Sequence, residues 1–185
     1  MKIYLSDKER RGYATVATLC ADLLRGARWV RRQAIQIAVS QGSGRVTITG
    51  ARLAVIQRQV WLAFDYLMAH GKRDLSAATG AAEERVQLSR WSEMGASVEP
   101  RTDVHVHFPT DHDIRVDMFW AGPMVAVGML SAMSGRRARD DTTIIGSLDE
   151  QGCIGALRVE GLTTQDLEVL HQAGFRRVLL GRLPG

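Results

Sequence analysis

The sequence predicts an α+β fold in which helices pack against mixed sheets. Three observations carry that expectation. Some short runs alternate polar and apolar residues, most cleanly Asp103–Phe108 (DVHVHF), as a half-buried strand does. Elsewhere apolar residues recur at three- and four-residue steps, as in Leu53, Ile56, Val60, Phe64 and Leu67, the spacing of one helix face. Finally, the order of strands and helices along the chain suits helices laid on sheets of mixed direction.

Taken in order, Tyr13–Cys20 (YATVATLC) has β-branched residues in its middle and reads as a strand. Leu23–Arg32 is a basic stretch interrupted by Gly26. Gln33–Val39 reads as a half-buried strand, Gln41–Arg45 as a turn, and Val46–Thr49 as the strand that pairs back to complete a hairpin. Ala54–His70 reads as a helix with Gly71 as its C-cap. Lys72–Gly80 is loop-like. Ala81–Met94 reads as a second, more polar helix ended by Gly95. After the strand at Asp103–Phe108 comes a polar turn, Thr110–Asp113. Asp117 is placed to cap an apolar helix that ends at Gly135. Thr142–Ile145 and Gly152–Val159 read as strands. A helix follows to Gln172, with Thr163 or Leu162 near its N-cap and Ala173–Gly174 closing it. Arg176–Leu180 is the last strand.

A chain of 185 residues suits one domain and can bury a substantial core. Apolar residues make up 45 % and charged residues 24 %, which points to a soluble globular protein. The net charge is +4, and the basic residues are almost all arginine, since the only lysines are Lys2, Lys8 and Lys72. Cys20 and Cys153 form neither a disulfide framework nor a metal spacing, which fits a reducing cytoplasm. The segment MKIYLSDKERR has no apolar core of a signal peptide. Met118–Met133 is uncharged but short of the roughly 20 residues that span a bilayer. It also contains Pro123, so it reads as a buried helix and not as a membrane span.

Several pieces occur in a telling order: Gly42–Gly50 (GSGRVTITG) with the helix after it, Asp103–Pro109 (DVHVHFP), Leu130–Arg136 (LSAMSGR), Ile145–Ser147 (IGS) and His171–Leu180 (HQAGFRRVLL). Together they resemble the proteolytic domain of Lon proteases (the S16 peptidases), from roughly Gln33 to Leu180. Residues 1–32 match poorly, although Gly12–Leu19 corresponds to the family's first strand. The resemblance implies one Lon-like domain over residues 1–185 with a ribosomal S5 domain 2-like fold. No single motif is diagnostic; the collinear order is.

The same resemblance exposes a loss. The family uses a serine at the start of the apolar helix and a lysine some forty residues later. Counting back from Gly135–Arg136 places the serine position at Trp120. Anchoring on Gly122–Pro123 places it at Met124. Counting back from Ala173–Gly174 places the lysine position at Thr164, or at Thr163 with a one-residue slip. Acyl transfer needs an oxygen or sulfur nucleophile beside a base that takes its proton. Neither alignment supplies that pair, and no lysine follows Lys72. The expectation is therefore a catalytically inactive module for assembly or binding. By resemblance it forms a homo-oligomer, such as a hexameric ring, or docks on a protein partner such as an AAA+ ring.

Other residues suggest other chemistry. His105 and His107 share one strand face and could ligate a metal with Asp111, His112 or Asp113, but such strands occur in Lon-like domains without metal. Cys153 and His171 could form a nucleophile–base pair, which leaves a peptidase using other residues as one alternative. No phosphate-binding G-x-x-x-x-G-K-[ST] loop is present, so no nucleotide or other cofactor is expected. Arg25, Arg28, Arg31 and Arg32 surround Trp29 and form a candidate patch for nucleic acid or an acidic partner. The nucleic-acid alternative gains from non-proteolytic Lon-like domains that belong to DNA-processing or phage-defence machines.

Overall fold

The computed structural model describes residues 12–22, 27–50, 54–79, 101–109, 121–155 and 162–181. Strands β1 (Tyr13–Asp22), β2 (Ala27–Gly42) and β3 (Val46–Thr49) come first, followed by helix α1 (Ala54–Thr79) and strand β4 (Arg101–His107). Helix α2 (Ala121–Ser134) leads into β5 (Thr142–Ile145), β6 (Ser147–Leu148) and β7 (Ile154–Gly155). Helix α3 (Thr164–Gln172) and β8 (Arg177–Leu180) close the described chain. Parallel and antiparallel pairs coexist, so the mixed α+β expectation holds. The helix expected at Ala81–Met94, the Thr110–Asp113 turn, Asp117 and the end of the Gly152–Val159 strand lie outside the described residues.

The main sheet has the order β1-β2-β4-β3. β2 pairs antiparallel with β1 and β4, while β3 runs parallel to β4. The expected hairpin between β2 and β3 is therefore wrong, because β4 lies between them. The cause is local. The Asp103 carboxylate of β4 accepts the backbone amides of Ser43 at 2.7 Å and Arg45 at 2.8 Å, so the turn arches over the end of β4. Gly42 leaves the necessary room, since a Cβ there would sit 2.1 Å from the Asp103 carboxyl carbon. These amide bonds, led by that of Arg45, hold the Asp103 carboxyl below its ordinary range despite some desolvation.

Two further expectations needed correction. α1 continues through Gly71 to Thr79 instead of stopping at His70. An interior glycine costs a helix only about 1 kcal/mol, and the residues beyond it, including Leu75, Ala77 and Ala78, are helix-compatible. β2 begins at Ala27, six residues before the strand expected at Gln33–Val39, and so takes in most of the basic stretch Leu23–Arg32, to which the sequence assigned no element. Among the described residues, no helix is long and apolar enough to cross a membrane.

β2 is long enough to serve two cores. Ile35 and Ile37 point into the larger one, built with Ile56, Val60 and Phe64 of α1 and Met124, Val125 and Met129 of α2. The larger core also takes Val104, Val106 and Phe108 from and just after β4. Nearer its start, Val30 lies on the opposite strand face and packs on a smaller cluster of Ala17, Ile145, Leu170 and Phe175. α3 and the β5–β8 pair therefore cover the back of the β1–β2 hairpin, while α1 and α2 cover the front of the sheet.

Candidate functional site

The two dyad positions given by the resemblance fall at the starts of α2 and α3. α2 opens with Ala121, Gly122, Pro123 and Met124, all buried. Pro123 is in the first turn, where a missing amide costs the helix nothing, so it starts the helix and does not interrupt it. Met124 is 2 % exposed and belongs to the main core. Trp120 lies outside the described residues.

The start of α2 is fixed by a side-chain amide. Gln59 of α1 is buried and donates to the Leu148 carbonyl at 3.1 Å while accepting the Leu148 amide at 3.0 Å. It thus fills the place that a neighbouring strand would take beside β6. A Cβ on Gly122 would meet the Gln59 side-chain oxygen at 2.3 Å, so the amide is wedged between β6 and α2.

At the start of α3, Thr163 is the N-cap. Its hydroxyl accepts the Asp166 amide, and the Asp166 carboxylate accepts the Thr163 amide at 2.8 Å, closing a capping box. Arg28 reaches over from β2, placing Nη1 2.6 Å from each Asp166 carboxylate oxygen and 3.1 Å from the Thr163 hydroxyl. Burial raises the Asp166 pKa, but the hydrogen bonds from Thr163 and the Arg28 guanidinium outweigh it and leave the carboxyl below its ordinary range. Thr164, one residue on, is exposed. Thr163, one of the two positions that the resemblance gives for the lysine, is thus a cap locked with an ion pair.

The arginine cluster divides. Arg32 donates to the Ala173 carbonyl at 2.9 Å and the Asp140 carbonyl at 2.7 Å, and its guanidinium lies 4.8 Å from the centre of the Phe175 ring. Arg28 therefore holds the first turn of α3 and Arg32 its C-cap. The spacing explains this: four strand residues span about 13 Å, close to the roughly 13 Å of a nine-residue helix. Trp29 is 45 % exposed, and Arg31 is also exposed on that same opposite face of the strand. Arg25 lies outside the described residues.

His105 and His107 do share a face. Both ring nitrogens meet the Thr49 hydroxyl of β3, His105 Nε2 at 2.9 Å and His107 Nδ1 at 2.8 Å. No group of three or more His, Cys, Asp or Glu residues forms a metal-binding constellation among the described residues. Asp111, His112 and Asp113 lie outside them. Cys153 sits exposed in the β6–β7 turn and donates its amide to Asp149. His171 is exposed in the last turn of α3, which packs on β2, and no hydrogen bond joins the two side chains.

Sequence reasoning missed Asp166 and Gln59. Asp166 had a visible signal, since it stands three residues after the cap candidate Thr163. Gln59 had none beyond being a polar residue on the apolar face of α1.

No protein-family model matches the chain. Curated relatives do. The chain is 27 % identical over 147 residues to the peroxisomal Lon protease homolog 2 of Bos taurus, 29 % over 146 residues to Lon protease 1 of Sorangium cellulosum, and 30 % over 148 residues to the Lon protease of Syntrophomonas wolfei. Each match takes in 79 % of this chain, and the chain spans only 15 % of the length of those relatives. Over that 79 % of its length, this chain is a Lon protease-like domain.

Proposed function

We propose that this chain is a catalytically inactive Lon-like domain with the ribosomal S5 domain 2-like fold, working as an assembly or binding module. The observation that supports this reading best is the lock at the start of α3. The Thr163 hydroxyl is held by Asp166 and Arg28, and the cation bonded to it is an arginine, which stays protonated and cannot act as a base. At the other dyad position, one alignment offers a core thioether (Met124) and the other an indole (Trp120), and neither carries a nucleophile. What such a domain keeps is its surface. By resemblance that surface joins copies into a ring or seats the domain on an AAA+ partner, and Trp29 and Arg31 are exposed residues of the types enriched at interfaces.

The test is hydrolysis of fluorogenic casein and peptide substrates, with and without ATP, by the parent chain and by Trp120→Ser. Both should match the buffer blank, because no lysine follows Lys72 and neither candidate lysine position holds one to activate the new hydroxyl. Turnover by the parent that survives repurification, and that vanishes on changing one of its own residues, would refute the reading. Light scattering on the same samples reads assembly, and a mass near 20.4 kDa at every concentration would leave only docking on a partner.

A further inference from the structure

β4 carries two histidines on the face that the main core does not use. Val104 and Val106 are buried, whereas His105 is exposed and His107 half-buried. The register sets Ala38 and Gln36 of β2 beside the pair on one side and Thr47 and Thr49 of β3 on the other. None of these four is charged, so no cross-strand neighbour repels a cation there. Along β4 itself the next side chain on this face is Asp103, about 7 Å from His105 by strand rise. The amides of Ser43 and Arg45 hold its carboxylate in the charged form.

The two rings converge. Their centres are 6.4 Å apart and their planes meet at 50°. His105 turns Nε2 and His107 turns Nδ1 toward one atom, the Thr49 hydroxyl oxygen, at 2.9 and 2.8 Å. A hydroxyl has one proton, so it donates to only one of the two nitrogens, and the other nitrogen must carry its own proton to bond the oxygen. A metal ion asks for less: two nitrogen lone pairs aimed at one point. That convergence is built into the strand pair.

We propose that His105 and His107 bind a divalent late transition-metal ion, Cu²⁺ most tightly, with Ni²⁺ and Zn²⁺ behind it. Imidazole suits these ions and copper leads the series for a fixed set of nitrogen ligands, whereas Mg²⁺ and Ca²⁺ take oxygen ligands. A metal–nitrogen bond of about 2.1 Å asks each nitrogen to draw in by roughly 0.8 Å from its distance to the hydroxyl. Ring rotation on an open sheet face allows that. Thr49 is exposed, so its hydroxyl exchanges the two nitrogens for water. Two protein ligands leave the ion's other positions to water, which makes this an exchangeable surface site and not a structural one. The proposal goes beyond the inactive-module reading and does not depend on the positions given for the dyad.

The experiment is isothermal titration of the full chain, carrying no affinity tag, with CuCl₂, NiCl₂, ZnCl₂ and MgCl₂. Cu²⁺ should bind most tightly, Ni²⁺ and Zn²⁺ more weakly, and Mg²⁺ not at all. His105→Ala and His107→Ala should each weaken Cu²⁺ binding by at least about tenfold, since losing even an outer-shell partner commonly costs that much. Thr49→His sets a third imidazole at the point of convergence, so it should tighten binding by a factor of the same order, about tenfold. Nuclear magnetic resonance reads the position: Cu²⁺ should first broaden the amides of Thr49, His105 and His107, while those around His171 stay sharp. Circular dichroism checks that each variant is folded. If an alanine variant is not, His105→Gln or His107→Gln replaces it, with the same loss expected. The proposal is overturned if Cu²⁺ does not bind, or if binding ignores both histidine substitutions. Broadening centred on His171 or on the N-terminal amine overturns it too. So does Mg²⁺ binding as tight as that of Cu²⁺, or a Thr49→His protein that binds Cu²⁺ no better than the parent.

Discussion

Gln59→Leu should be the most damaging single change in the described core that leaves volume nearly unaltered. The amide of Gln59 holds both backbone polar groups of Leu148, at 3.1 and 3.0 Å. Gln59 is 6 % exposed and Leu148 5 %, so water is badly placed to substitute. Leucine removes both bonds and leaves an amide and a carbonyl buried without partners. At about 1–3 kcal/mol for each orphaned group, the loss is about 2–6 kcal/mol, against a total stability on the order of 5–15 kcal/mol. Urea unfolding followed by circular dichroism reads this directly, and the melting temperature should fall by at least about 4 °C. Gln59→Glu sharpens the test. An ionised carboxylate accepts the Leu148 amide but faces the Leu148 carbonyl with no donor. Protonating it restores one, so that variant should gain on the parent as pH falls. A Gln59→Leu protein within about 0.5 kcal/mol of the parent, the usual range for an innocuous surface change, would refute the role given to this amide.

Two further outcomes follow from the same kind of contact. Arg32→Met keeps a flexible stem but loses the donors to Ala173 and Asp140 and the stacking on Phe175, which at this exposed site should cost about 1–2 kcal/mol. Hydrogen exchange should quicken in the last turn of α3 and at Phe175 while β4 amides keep their protection; uniform quickening would contradict the clamp. Asp103, whose pKa is lowered in the folded state, adds stability that is present above its unfolded pKa and lost as pH falls through its folded one. Asp103→Asn should therefore flatten the acid side of the stability–pH curve, and an unchanged curve would show that the arched turn does not depend on the charge.

The sequence made the regular elements readable where one periodicity ran uninterrupted. The alternation around Val104 and Val106, the apolar run of α2 and the cap at Thr163 all correspond to elements in the structure. Tertiary contacts decided the rest. Arg28 and Arg32 look like a solvated basic run until α3 is laid across β2, because only then does their spacing match the two ends of a helix. The β2–β3 hairpin looked sound because the turn residues suit one, and the competing claim on that turn comes from Asp103, some sixty residues away. At the positions that the resemblance gives for the dyad, residue type alone carries the expectation of an inactive domain. It could not show the contacts made at Thr163, since the lock joins Asp166 to an arginine from another strand.

The place of β4 in the sheet also bears on how the chain comes together during synthesis. β4 closes the edges of both β2 and β3, with Gly42 opposite Arg101 and Gln36 opposite His107, yet it is made after β3, α1 and the segment that follows α1. Until it emerges, the apolar face of β2 has an unpaired backbone edge and the β3 segment has no strand to pair with. Such a long-range insertion slows folding, because loop-closure entropy must be met before the contacts form. The same interval leaves an open strand edge available to other chains, which makes the half-made molecule the stage most exposed to aggregation.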